Sequence, residues 1–190
     1  ELKKFDIDEI CAMYNVDKVT VLPQMDYHLD LFIRPLDNKR ILLADDNLTL
    51  SVIKNACENL RKIIDEFGNI TIYDLEKIYT RLTRNYADFA NITKINNRPK
   101  TEKIEQILKN DGYEVIRVPG RIYKFSMETA DSEMNHLCNY INAVALKNKE
   151  DDIVYITNHA EIEKILGVPK EIADLIDFNF EKSFMKSIEK

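Results

Sequence analysis

Y-H-L-D-L-F-I-R-P-L-D-N-K-R-I-L-L, residues Tyr27 to Leu43, is patterned as a β-hairpin. Leu29–Leu36 is an apolar, extended run. Asp37–Asn38 supplies turn residues that tolerate left-handed backbone, and Ile41–Leu42–Leu43 returns as a second strand. His28 and Asp30 stand at the head of the first strand, two residues apart. Strand side chains repeat with period two, so both are predicted on one face, with Leu29 and Leu31 buried on the other. An imidazole and a carboxylate on one edge of a cleft suit proton transfer and cation binding. For a lone His-x-Asp, the commoner arrangement is a salt bridge or two surface residues at a strand end.

The rest of the chain sets the frame for that hairpin. Its 190 residues are enough for one core of moderate size, 1–190 read as a single domain. A hydrophobic share of 45% and a charged share of 32% are ordinary for a globular protein. Net charge is -6 and the pI about 5.2, which argues against non-specific nucleic-acid binding as the main task. Cys11, Cys57 and Cys138 are widely and irregularly spaced, giving neither a disulfide framework nor a zinc pattern. Reduced thiols and a cytoplasmic setting are the expectation. No apolar run has the length of a transmembrane helix, so no membrane partner is expected. With Glu1 at its start, the chain is expected to be part of a longer protein.

Around the hairpin the elements follow from pattern. Asp6–Tyr14 is a short helix and Lys18–Leu22 a strand stopped by Pro23. Asp45–Asp46–Asn47 caps a helix reaching Phe67, with Leu48, Val52, Ala56, Leu60, Ile63 and Ile64 at helical spacing. Residues 70–98 form a helical insertion and polar loop. Thr101 caps a helix to Asn110, ended by Asp111–Gly112. Tyr113–Val118 and Arg121–Phe125 are strands about Pro119–Gly120, and Ser126–Asn135 is a loop. Leu137–Lys147 and Ile153–Thr157 make a second hairpin, followed by a helix over Ala160–Leu166, a helical turn over Lys170–Leu175 and a strand over Ile176–Phe180. The two hairpins share a plan of apolar strand, Asn/Lys-containing turn, β-branched return and capped helix, which suggests a repeated module.

M-D-Y-H-L-D-L-F-I-R-P-L-D-N-K-R-I-L-L-A-D, residues Met25–Asp45, resembles the His-x-Asp segment of the guanidino-group-modifying superfamily, the penteins. Asn139–Tyr140–Ile141–Asn142–Ala143, followed by Ile153–Thr157, resembles the strand pair that the agmatine and peptidyl-arginine deiminases carry downstream. The resemblance covers Val19–Leu43 and Tyr113–Asp177. It implies an α/β fold of repeated ββαβ modules, a partial α/β propeller, with 70–98 inserted. It also implies a hydrolase that acts on the guanidinium of a small molecule or of protein arginine, without cofactor or metal. His28 and Asp30 would be catalytic, and Asp30, Arg34 and Asn142 would bind substrate. Arg34 could take a substrate carboxylate or pair with Asp37. The family's nucleophilic Cys would align beyond Lys190, and its upstream Gly-Gly-Asp has no clear match, so the chain is expected to carry part of a catalytic set and to lack deiminase activity by itself.

Other readings compete. The same fold without turnover would be a binding or scaffold domain. Ranked third is a winged-helix-like nucleic-acid binder: helix Thr101–Asn110 precedes the hairpin-like Y-E-V-I-R-V-P-G-R-I-Y-K-F, and Asn91–Lys124 carries a local charge of +4. Against it stands the acidity of the whole chain. Cys57 and Cys138 are read as core thiols, His159 as a helix-cap neighbour, and Asp45–Asp46 as a helix N-terminus, where negative charge is favourable.

Overall fold

Ile41, Leu42, Leu43 and Ala44 are all buried, although successive strand residues face opposite ways. A strand covered on both faces belongs in the middle of a sheet, and that is where this one lies. The computed structural model describes residues 6–24, 28–66, 75–77, 79–80, 83–84, 87, 98–124, 135–157, 170–175 and 180–188. Within them the chain is mixed α/β with three small sheets. The main sheet has the order β1 (Ile33–Pro35), β2 (Arg40–Ala44), β3 (Glu114–Val118). β1 and β2 are antiparallel, with Arg34 opposite Leu42. β2 and β3 are parallel, with Leu42 opposite Ile116. A parallel neighbour requires a crossover, which contains α2 (Asp46–Glu66) and α3 (Arg98–Asn110). β4 (Arg121–Lys124) pairs with β5 (Asn135–Asn139), and β6 (Val144–Lys147) with β7 (Ile153–Ile156), both antiparallel. α1 (Ile7–Tyr14), α4 (Lys170–Leu175) and α5 (Phe180–Ile188) complete the elements with assigned bounds.

Local chemistry fixes most of the boundaries. Asp45 caps α2: its Oδ1 accepts from the Asn47 backbone N–H at 2.8 Å and from Leu48 at 3.4 Å. Ile53, Ala56, Cys57 and Leu60 form the buried stripe of α2 at helical spacing. Leu48, placed on that face by the sequence, is instead 36% exposed. α3 begins at Arg98, so Thr101 is not its cap but sits inside the helix, buried in line with Ile104 and Leu108. Gly112, with φ 93°, ends α3, and the Tyr113 N–H reaches back to the Leu108 carbonyl at 3.0 Å. α3 and α5 both pack on β3. Phe180 and Phe184 of α5 are fully buried against Tyr140, with ring centroids 5.8 and 5.2 Å away.

Four further expectations change. Leu29–Leu36 is not one strand: Leu29–Leu31 is a 3-10 turn, with i→i+3 bonds from Leu31 N–H to His28 O at 3.4 Å and from Phe32 N–H to Leu29 O at 3.2 Å. Leu29 is therefore 56% exposed while Leu31 is 8% exposed. Leu137–Lys147 is not one strand either. It breaks at Tyr140–Ala143 into β5 and β6, which lie in different sheets. Lys18–Leu22 forms no ladder; side chains hold it, Lys18 Nζ on Asp111 Oδ1 at 2.6 Å and Thr20 Oγ1 on Asp111 Oδ2. Those two donors hold the Asp111 carboxyl below the usual range. Finally, β3 and β4 do not pair with each other, so the hairpin a winged helix requires is not formed. A Cβ at Gly120 would lie 2.7 Å from the Ala44 Cβ and 3.0 Å from Ile141 Cγ1, so the chain leaves β3 through a passage that only glycine fits.

The segments 67–74, 88–97, 125–134, 158–169 and 176–179 lie outside the described residues. With them lie most of the 70–98 insertion, the helix Ala160–Leu166, and all but Phe180 of the strand expected over Ile176–Phe180. Phe180 itself opens α5. The described residues inside the insertion, 75–77, 79–80, 83–84 and 87, are helical.

Candidate functional site

The break in the second apolar run creates the contact that matters most for the predicted site residues. Asn139 ends β5 and is 7% exposed. Its side-chain Oδ1 accepts from the backbone N–H groups of Ile141 at 3.0 Å and Asn142 at 3.3 Å. An Asn that supplies an acceptor two and three residues ahead folds the backbone into a turn and competes with strand continuation. Its Nδ2 donates to the Leu31 carbonyl at 3.3 Å. Arg34 Nε donates to the Ile141 carbonyl at 3.0 Å. The Tyr140–Asn142 turn thus seats directly on the His28–Arg34 segment.

His28 is the extended N-cap of the 3-10 turn, φ -125° and ψ 136°, and is exposed. Asp30 lies within that turn and is also exposed. The strand alternation that put both on one face does not apply, because a 3-10 turn advances about 120° per residue. Arg34 is half-buried in β1 and serves Ile141; Asp37 pairs with Arg40 at 2.8 Å instead. Asn142 is exposed, with its backbone N–H on Asn139. Two segments far apart in sequence, carrying all four residues, are therefore joined.

Sequence reasoning gave no role to Asn139, Tyr155 or Thr157. Tyr155 Oη donates to the Tyr140 carbonyl at 2.7 Å, and Thr157 Oγ1 donates to the same oxygen at 3.0 Å. Burial pushes the Tyr155 phenol well above its ordinary range despite the opposing charge of Arg34, so it is a neutral donor here. One signal was available: an Asn inside an apolar run, which a continuous strand would have to bury without an evident partner.

A second polar cluster serves the fold. Arg117 on β3 bonds Asp45 Oδ2 at 2.9 Å and Glu105 Oε2 at 2.9 Å through Nε; Lys109 meets Glu105 Oε1 at 2.8 Å. Burial opposes the charges of Glu105 and Arg117. The partners outweigh it, lowering the Glu105 carboxyl and raising the guanidinium. The cluster ties the start of α2, the middle of α3 and the end of β3 together. Cys57 is a core thiol, pushed up to about 11 by burial and by neighbouring Glu58, which leaves it unsuited to act as a thiolate. Among the described residues no group of three or more His, Cys, Asp or Glu could hold a metal ion, and no helix is long and apolar enough to cross a membrane.

No family model, no curated protein and no solved structure matches this chain.

Proposed function

We propose that the chain is a deiminase-like domain acting on a guanidinium group, in a fold of pentein-like ββαβ modules. The observation that carries the proposal is the seating of the Tyr140–Asn142 turn on the His28–Arg34 segment through Asn139 and Arg34. The two stretches that resemble deiminase motifs are the two that meet. The order β1, β2, helical crossover, parallel β3 also supports it, being the order of a ββαβ module.

In this mechanism Asp30 accepts charge-assisted hydrogen bonds from the guanidinium nitrogens. A cysteine thiolate, not assigned to any of Cys11, Cys57 and Cys138, adds to the guanidinium carbon. Protonated His28 gives its proton to the departing ammonia, and the neutral imidazole then takes a proton from the water that attacks the amidino carbon. The carbon–sulfur bond breaks, releasing a ureido product and the thiolate. Free arginine, agmatine and protein arginine all offer the required group.

Titration calorimetry with agmatine and with a doubly blocked arginine provides the test. Both are expected to bind, and Asp30→Asn is expected to weaken binding about tenfold or more, because a charged acceptor becomes a neutral amide. No binding by the wild type, or unchanged affinity in Asp30→Asn, would overturn the proposal. The same fold acting as a binding domain is the second reading, in which Asp30 holds the guanidinium and no thiolate attacks it. Ammonia release separates the two: an enzyme containing this domain should lose roughly 10²–10⁴-fold in rate with His28→Ala.

A further inference from the structure

We propose that Asn139 and Arg34 are positioning residues: they latch the Tyr140–Asn142 turn to the 3-10 turn and so fix Asn142 relative to Asp30. This rests on the guanidinium reading above. The turn is held by side chains and not by a ladder. The Ile141 and Asn142 N–H groups end on the Asn139 amide oxygen, and the Ile141 carbonyl ends on Arg34 Nε. The Tyr140 carbonyl takes Tyr155 and Thr157. The Tyr140 N–H donates to a backbone partner, Gly120 O, at 3.2 Å.

The two crossing bonds run in opposite directions. Asn139 donates to Leu31, the last residue of the turn that carries Asp30. Arg34, three residues further on, donates to Ile141, the neighbour of Asn142. A brace of two antiparallel bonds resists both sliding and hinging, which a single bond would not. Asn139 is nearly sealed from solvent, so water cannot readily replace its amide when it is removed. Asp30 and Asn142, in contrast, are exposed and contribute none of the latch contacts through their own side chains. The latch therefore acts on them through the backbone alone.

The test uses the full chain, wild type and the variants Asn139→Ala, Arg34→Gln, Asn142→Ala and Asn139→Ala/Asn142→Ala. Without ligand, amide hydrogen exchange at Ile141 and Asn142 is expected to rise about tenfold or more in Asn139→Ala, while Leu42 and Leu43 in β2 stay protected. In agmatine titrations, Asn139→Ala and Asn142→Ala are each expected to lower affinity several-fold, and the double variant no further than the weaker single one. A purely structural Asn139 would give fold-changes that multiply, and that outcome overturns the proposal. Unchanged exchange at Ile141 and Asn142 overturns the latch itself. If Asn139→Ala does not fold, Arg34→Gln and Arg34→Gln/Asn142→Ala take its place in both measurements, with the same expectations. Absence of agmatine binding by the wild type overturns the guanidinium reading and the positioning role with it, while raised exchange in the variants would still establish the brace.

Discussion

The two hairpins look alike in sequence and live in different surroundings. Both turns are pinned by an Asx side chain. Asp37 Oδ1 accepts from the Lys39 and Arg40 N–H groups at 2.8 and 2.7 Å, and Asn148 Oδ1 accepts from Glu150 and Asp152 at 2.9 and 2.8 Å. Beyond the turns they diverge. In the first hairpin β2 gains β3 as a parallel neighbour and is buried on both faces. In the second, β6 and β7 pair only with each other among the described residues. Val144 faces Ile156 and Leu146 faces Val154 in register, and all four are exposed, while Ala145, Ile153 and Tyr155 pack toward the core. Turn chemistry is local and repeats wherever the residues repeat. Burial is decided by which element arrives on each face.

Substitutions in and beside the two hairpins test this contrast. The largest effect is expected at Leu42, fully buried in β2: Leu42→Ala should destabilise by about 2–5 kcal/mol in denaturant unfolding, since it removes methyl groups and leaves a cavity. Gly120→Ala should cost about 1–3 kcal/mol, because the new methyl group collides with Ala44 at the end of the same strand. An unchanged denaturation midpoint in either variant would mean that β2 is not the centre of the core.

At the turn the effect is smaller and depends on pH. Hydrogen bonds from the backbone N–H groups of Lys39 and Arg40, then the Arg40 side chain, lower the Asp37 carboxyl from 3.8 to about 2. A lowered folded-state pKa means that the stabilisation is complete above the unfolded value and is lost as pH falls through the folded one. Asp37→Asn should therefore cost roughly 1 kcal/mol at pH 7, and the gap between variant and wild type should close as pH drops from about 4 toward 2. A gap that persists at pH 2 would place the contribution of Asp37 elsewhere. The smallest effect is expected in the second hairpin, where Val154→Ser on its exposed face should stay within about 0.5 kcal/mol. A loss comparable to that of Leu42→Ala would show that this face is covered in solution.

Features set by nearest neighbours are legible in the amino-acid sequence. These include the Asp37 turn, the Asp45 cap, the Gly112 stop, the helical stripes and the antiparallel pairing of Ile33–Pro35 with Ile41–Leu43. Hydrophobic pattern and turn chemistry act over a few residues, so they can be read from a few residues. Tertiary structure alone decided where apolar runs stop being strands. His28–Leu31 coils into a 3-10 turn, and Leu137–Lys147 breaks at Asn139, where a buried amide finds its partner at Leu31, 108 residues away. Of the candidate site, sequence supplied the residue types His28, Asp30, Arg34 and Asn142. The contact between the two segments that carry them depends on Asn139 and Arg34, whose partners become visible only when the chain has folded. A hydrogen bond's partner is fixed by proximity in space, and spacing along the chain does not encode it.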